Sequence, residues 1–276
     1  MVRVSTISFL NTVPLMRGFD RSVGATSDYE VWFTTPSQCA DQLRAGIADV
    51  GLIPAIEYQR IPGLVVAGNA AIATPGVVRS ILLLSRVPLN QVRTVAADTA
   101  SRTSVALTQI LFQRRFSGQP VQMLPHAAHP AAMLAKCDAA LVIGDPALQY
   151  AKAPLDGVIA IDLGSEWFAL TGKPFVFAFW AAHAAAATPE LAATLESWRD
   201  RGIAEIEEIV REESVKRYLS PEIVRAYLTE NIHFTLDAAC QEGLELYYRW
   251  AAELGLAPLD RPLEIIRTEA GAPATC

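Results

Sequence analysis

The stretch that decides the fold class is residues 92–116, which read VRTVAADTASRTSVALTQILFQRRF. Residues 92–97, which are mainly apolar, predict a strand, and the mainly polar residues 98–104 predict a loop that follows it. Apolar side chains at helical spacing then predict a helix that extends to about residue 116. A strand, a polar turn and a helix recur in this order along the chain, which is typical of α/β proteins with mainly parallel sheets.

Further signals place this unit within a larger architecture. Residues 35–38 read TPSQ and predict a helix start with a capping box. The pairs Thr188-Pro189 and Ser220-Pro221 predict two more helix starts in a C-terminal region that contains only helices. Additional apolar runs predict strands at residues 3–9, 31–34, 49–54, 77–85, 139–143 and 175–180.

This order of elements predicts two α/β lobes that are joined by two crossings of the chain. We expect the C-terminal helices to pack on the first lobe, with hinges near residues 85–89 and 177–182. The predicted first lobe contains residues 1–86 and 182–267, the second contains residues 87–181, and residues 268–276 form a flexible tail. A ligand would bind in the cleft, near the carboxyl ends of the strands.

The composition excludes several classes of protein. The chain has 276 residues, of which 51% are hydrophobic, and a formal net charge of −6. These values exclude a disordered chain and argue against a nucleic-acid binder, which normally has a basic stripe. No run approaches the roughly 18 apolar residues of a membrane span, and the N-terminal residues lack the apolar stretch of a signal peptide. We therefore expect a cytoplasmic protein with no membrane or nucleic-acid partner.

Metal and nucleotide chemistry also lack support in the sequence. Widely separated cysteines, which indicate reduced thiols, occur at Cys39, Cys137, Cys240 and Cys276. His126 and His129 lie close together but have no accompanying carboxylates, so we expect no metal site. Gly-x-Gly-x-x-Gly, P-loop and Gly-x-Ser-x-Gly motifs are absent from the sequence.

The polar loop at residues 98–104 is the strongest candidate for a binding site. A helix N-terminus offers free backbone N–H groups and a partial positive charge, so it binds carboxylate or phosphate. The loop adds three hydroxyl groups and a cation, from Ser101, Thr103, Ser104 and Arg102. The alternative is an ordinary N-cap with no ligand.

Three isolated polar residues are further candidates. Asn11 follows the first predicted strand and either meets a ligand or stabilises an Asx turn. Ser80 lies in an apolar strand, where a polar side chain needs a partner or faces a cavity. Asp145 follows another strand and either caps the next helix or contacts a ligand. The residues by themselves indicate a two-lobed α/β protein that binds a small anion.

Several ordered motifs resemble the chorismate dehydratases of the futalosine route to menaquinone. The N-terminal segment Ser8-Phe-Leu-Asn-Thr-Val-Pro-Leu15 is similar to the signature of that family, in which position 9 is more often Tyr. Matches in family order continue with GIADVGLIP at 46–54, SRTSVAL at 101–107 and IGDPA at 143–147. The resemblance extends over nearly the whole chain.

The resemblance implies a fold, a reaction and a site. The family has the two-lobed fold of type II periplasmic binding proteins, with the substrate in the cleft. The implied reaction removes water from chorismate to give 3-[(1-carboxyvinyl)oxy]benzoate, without redox change and so without a cofactor. Asn11 and Ser80 match catalytic positions that hold the substrate near the reacting carbons. The positions implied to bind the chorismate dianion are Ser101, Arg102, Thr103, Ser104 and Asp145.

Two alternative functions are compatible with the same fold. One is a small-anion binding protein without turnover, against which the absence of a signal sequence argues. The other is a lyase like the sister 1,4-dihydroxy-6-naphthoate synthase, against which the motif at residues 8–15 argues. The sequence leaves a monomer and a homodimer equally open.

Overall fold

The computed structural model describes residues 1–19, 28–259 and 261–268, and it contains two β-sheets. The strands are β1 Val2–Ile7, β2 Tyr29–Thr34, β3 Val50–Pro54, β4 Leu64–Thr74, β5 Ile81–Ser85, β6 Thr94–Asp98, β7 Gln122–His126, β8 Ala139–Ile143, β9 Ile159–Asp162, β10 Phe175–His183, β11 His233–Thr235 and β12 Ile265–Ile266. The first sheet has the order β11-β4-β10-β3-β1-β2, with β12 also paired to β4. The second has the order β7-β6-β8-β5-β9.

Helices cover both sheets and connect their strands. They are α1 Val13–Met16, α2 Pro36–Arg44, α3 Glu57–Arg60, α4 Arg102–Leu111, α5 Pro130–Leu134, α6 Asp145–Tyr150, α7 Leu163–Thr171, α8 Pro189–Ala204, α9 Ile206–Arg217, α10 Pro221–Ala226 and α11 Ala238–Glu253. Short 3-10 or π turns occupy Leu10–Thr12, Leu89–Gln91, Phe112–Phe116 and Tyr227–Asn231. None of the helices within the described ranges is long and apolar enough to span a membrane.

The two sheets are mixed, whereas the sequence pattern predicts mainly parallel ones. β1 is parallel to β2 and β3, and β6 is parallel to β7 and β8. β10 is antiparallel to both β3 and β4, and β5 is antiparallel to β8 and β9. The antiparallel strands β5 and β10 are the ones that the chain forms directly after it passes from one sheet to the other.

The strand pairing corrects the predicted boundaries of the two lobes. Residues 81–85, predicted to lie in the first lobe, pair only within the second sheet. Residues 175–181, predicted to lie in the second lobe, pair with β3 and β4 of the first sheet. The chain therefore crosses between the sheets at residues 75–80 and 163–174, rather than near 85–89 and 177–182. Apart from Thr268, the predicted tail lies outside the described residues.

The first crossing is held in an unusual backbone conformation. Arg79 has a φ of 60°, in the left-handed region that residues other than glycine seldom adopt. The Asp162 carboxylate at the end of β9 accepts hydrogen bonds from the backbone N–H groups of Val78, at 3.1 Å, and Arg79, at 2.6 Å. It also caps α7 by accepting from the N–H of Ser165 at 2.9 Å. One carboxylate thus connects the two crossings to each other.

The core combines apolar strands with aromatic side chains from the helices. Trp167 of α7 is fully buried, and its ring packs edge-on against Phe175 and Tyr247. The thiols of Cys39, Cys137 and Cys240 are free and buried, as expected from their spacing. Burial raises the pKa of both Cys39 and Cys240 to about 12.

Candidate functional site

A small cavity lies between the two sheets, where the N-terminus of α4 meets the turn after β1. Its volume is about 50 Å³, and its wall includes Phe9, Asn11, Ser101, Thr103 and Ser104. Both ends of the predicted site, the turn after β1 and the loop before α4, therefore line the same cavity.

The start of α4 lacks the side-chain cap that other helices in this protein have. Ser101 occupies the N-cap position, but its hydroxyl makes no capping hydrogen bond. That hydroxyl is buried and has no hydrogen-bond partner within the described part of the chain, and Ser101 is one of the residues that line the cavity. The helices that do have a side-chain cap are α2, α5, α7, α8, α10 and α11. Ser101 therefore does not make the hydrogen bond of an ordinary N-cap, and an anion site at this loop stays a prediction.

Thr103 and Ser104 are both buried in the first turn of α4. We call the described residues of 1–74 and 175–268 the first-sheet unit, and residues 81–162 the second-sheet unit. The Thr103 hydroxyl oxygen accepts a hydrogen bond at 3.3 Å from the backbone N–H of Ile56, which belongs to the first-sheet unit. The Thr103 carbonyl accepts another at 3.0 Å from the phenol of Tyr247 on α11. These bonds fix the start of α4 against the opposite side of the cleft, so its N–H groups point at a defined place.

The guanidinium of Arg102 is turned toward the protein rather than held free for a substrate. It donates to the Asp41 carboxylate at 2.8 and 2.9 Å and to Glu57 at 3.1 Å. The Glu57 side chain is only 1% exposed and also pairs with Arg44, at 2.6 Å, and Arg60, at 2.9 Å. Arg102 therefore forms part of the cavity wall, but its guanidinium is paired with carboxylates and connects α4 to the first-sheet unit.

Asp145 makes a second connection across the cleft, at the start of α6. Its carboxylate accepts a hydrogen bond at 3.0 Å from the backbone N–H of Leu10 and forms an ion pair with Arg217 of α9. Burial raises the pKa of this carboxyl group, whereas the Leu10 N–H and the Arg217 guanidinium lower it, and the effect of burial is the larger. Asp145 does not line the cavity, and it does not cap α6, whose N-cap is Gly144.

Gly144 lets the two sides approach closely at this point. Its φ is 65°, and an added Cβ atom would lie 2.8 Å from the ring of Phe9. A side chain here would therefore both strain the backbone and push Phe9 out of the cavity wall.

Asn11 and Ser80 have different surroundings, and Ser80 contacts a residue that sequence reasoning missed. Asn11 is buried in the turn Leu10–Thr12 and lines the cavity. Ser80 is fully buried behind the wall and does not line the cavity, although its sequence context left that possibility open. The phenol of Tyr227 donates a hydrogen bond to the Ser80 hydroxyl at 2.8 Å. Burial raises the pKa of Tyr227, so the phenol stays protonated.

One group of potential metal ligands occurs within the described ranges, away from this cavity. Ligand atoms of His233, Asp237 and Cys240 lie within 4.8 Å of one another. Asp237 caps α11 by accepting from the Cys240 N–H at 2.9 Å, and its second oxygen lies 2.8 Å from His233 Nε2. These bonds explain the grouping as a helix cap.

Comparison with known proteins places the chain in a family. A sequence profile described as "Menaquinone biosynthesis" matches residues 2–253, which include both crossings and every residue of the candidate site. The chain belongs to this menaquinone biosynthesis family. A relative from Thermus thermophilus, named chorismate dehydratase, is 27% identical over 252 residues, which cover 85% of this chain and 90% of that protein.

Solved structures show that this member of the menaquinone biosynthesis family has a periplasmic-binding-protein-like fold. A protein from Archaeoglobus fulgidus superposes with a TM-score of 0.73 at 15% identity, covering 92% of this chain and 98% of that one. The periplasmic aliphatic sulphonate binding protein of Escherichia coli superposes with a TM-score of 0.63 at 13% identity, covering 100% of this chain and 96% of that one. The fold that the motifs imply is therefore confirmed.

Proposed function

We propose that the protein is a chorismate dehydratase, a carbon–oxygen lyase that removes water from chorismate. The product is 3-[(1-carboxyvinyl)oxy]benzoate, whose ring becomes aromatic when the C3 proton and the C4 hydroxyl leave. The family match and the named Thermus relative support this assignment. A place in the futalosine route, a cytoplasmic location and a monomeric or dimeric state stay predictions.

The observation that carries the proposal is the N-terminus of α4, which has no side-chain cap and lies in the wall of the cavity between the two sheets. Its first-turn N–H groups and the unpartnered Ser101 hydroxyl are donors without an acceptor from a capping side chain. A carboxylate of chorismate supplies acceptor oxygens for them, and the helix dipole favours its negative charge. Thr103 and Ser104 lie in the same turn, so the carboxylate would be held from several sides.

The chemistry of the wall supports a reaction in which the substrate supplies its own base. None of the described residues that line the cavity has a carboxylate or an imidazole side chain. We therefore propose that the enolpyruvyl carboxylate of chorismate takes the C3 proton, with the Asn11 amide holding that carboxylate in place. Aromatisation favours the forward reaction, so orientation of the reacting groups contributes much of the catalysis.

Entry of chorismate requires the two sides of the cleft to separate. The cavity volume of about 50 Å³ is well below the roughly 300–1,000 Å³ of typical small-molecule pockets. We propose that the two sheet units move apart about the crossings at 75–80 and 163–174, and close again over the substrate. Closure excludes water from the ring while it loses its hydroxyl group.

The direct test mixes purified protein with chorismate and analyses the products by liquid chromatography with mass detection. The expected product is lighter than chorismate by one water and has an aromatic absorption spectrum. Unchanged chorismate together with a clear thermal shift of the protein would contradict turnover and indicate a binding protein. No product and no shift would show that chorismate is not the ligand.

A further inference from the structure

We propose that Phe9 is a gate between the candidate site and a larger outer cavity, and that the Asp145–Arg217 ion pair holds this gate closed. The inference rests on the proposed function, because it takes chorismate and its product as the ligands that pass Phe9. It extends that function by naming the route along which a ligand reaches the N-terminus of α4.

The outer cavity lies between α1 and α9 and has a volume of about 690 Å³. This volume is within the roughly 300–1,000 Å³ of small-molecule pockets, whereas the cavity at α4, here called the inner cavity, has only about 50 Å³. Among the described residues, Ile7 and Phe9 line both cavities. A ligand in the outer cavity would therefore be separated from the candidate site by the wall that these two residues share.

Of the two shared residues, Phe9 is the one that can move. Ile7 belongs to β1, is paired with Thr34 of β2 and is only 3% exposed. Phe9 follows the strand, has an extended backbone before the turn Leu10–Thr12 and is partly exposed. A rotation of its side chain would take the ring out of the shared wall without breaking a strand pairing.

The ring of Phe9 contacts the opposite side of the cleft. A Cβ atom added at Gly144 would lie 2.8–2.9 Å from three carbon atoms of the ring, so the ring lies directly on the Gly144 backbone. The Gly144 N–H donates to the Ser80 carbonyl at 2.7 Å, which fixes this surface. Phe9 belongs to the first-sheet unit and Gly144 to the second, so separation of the units would also break this contact.

The backbone on both sides of Phe9 is hydrogen-bonded to one ion pair. The Leu10 N–H donates to the Asp145 carboxylate at 3.0 Å, and the Ser8 carbonyl accepts from the Arg217 guanidinium at 3.2 Å. Asp145 and Arg217 also bond directly to each other. These contacts fix the peptide groups before and after Phe9, so loss of the ion pair would release the gate.

A third cavity on the opposite side of the α4 N-terminus is less suited to be the route. It has a volume of about 370 Å³ and shares Ser101 and Arg102 with the inner cavity. Both residues belong to the start of α4, and Arg102 is fixed there by Asp41 and Glu57. Entry on that side would displace the N–H groups that we propose to bind the substrate.

A gate and an ordinary wall residue have different effects on binding rates. Loss of a wall contact mainly raises koff, because mutations in one binding surface change kon much less. Removal of a gate also raises kon, since association is slow when binding requires a conformational change. We therefore expect Phe9→Ala to raise kon by at least about 5-fold, with koff raised by a similar or larger factor.

The experiment measures kon and koff by stopped-flow protein fluorescence, with 3-[(1-carboxyvinyl)oxy]benzoate as the probe. This product has already lost its water, so binding is measured without dehydration. The proteins are the wild type, Phe9→Ala, Asp145→Asn and the double variant. Asp145→Asn should raise kon by about 2- to 5-fold, but by less than about 2-fold when Phe9 is already Ala, because residues in one network are non-additive.

Phe168→Ala is the matched control, because Phe168 on α7 is partly exposed and lines neither cavity. It should keep the wild-type kon, koff and kcat. If Phe9→Ala does not fold, Phe9→Leu tests the same wall with a smaller side chain.

Each part of the inference can fail separately. A Phe9→Ala enzyme with an unchanged or lowered kon would overturn the gate, and a raised koff alone would show that Phe9 is only a wall residue. An equal effect of Asp145→Asn in both backgrounds would overturn the role of the ion pair. A wild type that neither converts chorismate nor binds the product would overturn the proposed function and this inference with it.

Discussion

At the scale of single residues, Asn11 is the polar side chain that the first-sheet unit contributes to the cavity wall. Replacement by alanine removes the amide that would orient the enolpyruvyl carboxylate. We expect Asn11→Ala to lower kcat by about 100-fold or more, while chorismate still binds through α4. Steady-state kinetics and a chorismate-induced thermal shift measure the two effects separately.

The control for this substitution is Asn90→Ala, which removes an exposed amide outside the cavity. Its kinetics should equal those of the wild type. An Asn11→Ala enzyme with normal binding and full turnover would contradict the proposed role of the amide.

Two aspartates should change the pH dependence of stability in opposite directions. Burial raises the pKa of Asp98, whose carboxylate accepts only the Ala100 N–H at 2.9 Å among the hydrogen bonds of the described chain. At neutral pH the folded protein therefore holds a poorly compensated buried charge. Asp98→Asn should raise Tm at pH 7, and the gain should shrink as the pH falls through the folded pKa and vanish below about 3.9, the unfolded value.

Replacement of Asp138 should have the opposite effect on Tm. Backbone N–H donors from Arg93 and Thr94, both at 2.9 Å, lower its pKa by stabilising the charged form. Asp138→Asn should therefore lower Tm at pH 7. The loss should disappear only when the pH falls through the lowered folded pKa. Thermal unfolding of both variants from pH 7 down to acid pH tests the two predictions. If the change in Tm relative to the wild type had the same sign and pH dependence in both variants, the predictions would be contradicted.

At the scale of elements, α8 and α1 pack so closely that one position accepts only glycine. A Cβ atom at Gly202 in α8 would lie 2.0 Å from the backbone oxygen of Pro14 in α1. Alanine normally stabilises a helix interior relative to glycine by about 1 kcal/mol. At this position the added methyl group would overpack the contact with α1, so the substitution should destabilise the protein instead. We expect Gly202→Ala to lower the free energy of unfolding by about 1–3 kcal/mol.

Chemical denaturation measures this change, with Ser197→Ala on the exposed face of the same helix as the control. Ser197→Ala should stay within about 0.5 kcal/mol of the wild type. A Gly202→Ala protein that is more stable than the wild type would show that α1 can move away from α8.

Elements whose signals are local were predictable from the sequence. The capping box at Thr35 and Gln38 forms as expected, and Thr188 and Ser220 cap their helices. By contrast, β4 at Leu64–Thr74 was not predicted, although it is the longest strand. Its sequence is rich in alanine, and its strand conformation depends on pairing with the distant strands β10, β11 and β12.

The residues of the candidate site also divide into those with a local sequence signal and those whose role depends on distant contacts. Ser101, Thr103 and Ser104 could be found because a polar loop between a strand and a helix is visible in the sequence. Tyr227 and Glu57 gave no comparable signal, since each acts through contacts made only after folding: Tyr227 meets Ser80 from 147 residues away and Glu57 meets Arg102 from 45. The charges of Arg102 and Asp145 were visible, but their partners across the cleft were not.

At the scale of the whole molecule, the charged contacts that join the sheet units include two next to the cavity. Arg102 on α4 pairs with Asp41 and Glu57, and Asp145 on α6 pairs with Arg217. Asp145→Asn keeps an acceptor for the Leu10 N–H but removes the ion pair. We expect this variant to spend more time open, which raises the radius of gyration measured by small-angle X-ray scattering without substrate.

Arg225→Met is the control, because it removes an exposed ion pair with Glu207 that lies within one unit. Its radius of gyration should equal that of the wild type. Equal values for wild type and Asp145→Asn, with and without chorismate, would contradict a role for this pair in closure.

The buried thiols described above make the molecule suitable for site-specific dye labelling. Thiolates are the reactive form, and Cys39 and Cys240 stay protonated at pH 7 because their pKa is about 12. Cys137 is also buried, and Cys276, outside the described residues, can be replaced by serine. Cysteines introduced at the exposed positions Lys136 and Ala193 would then carry a fluorophore pair, one on each unit. Energy transfer between them would report each opening of a single enzyme molecule in real time.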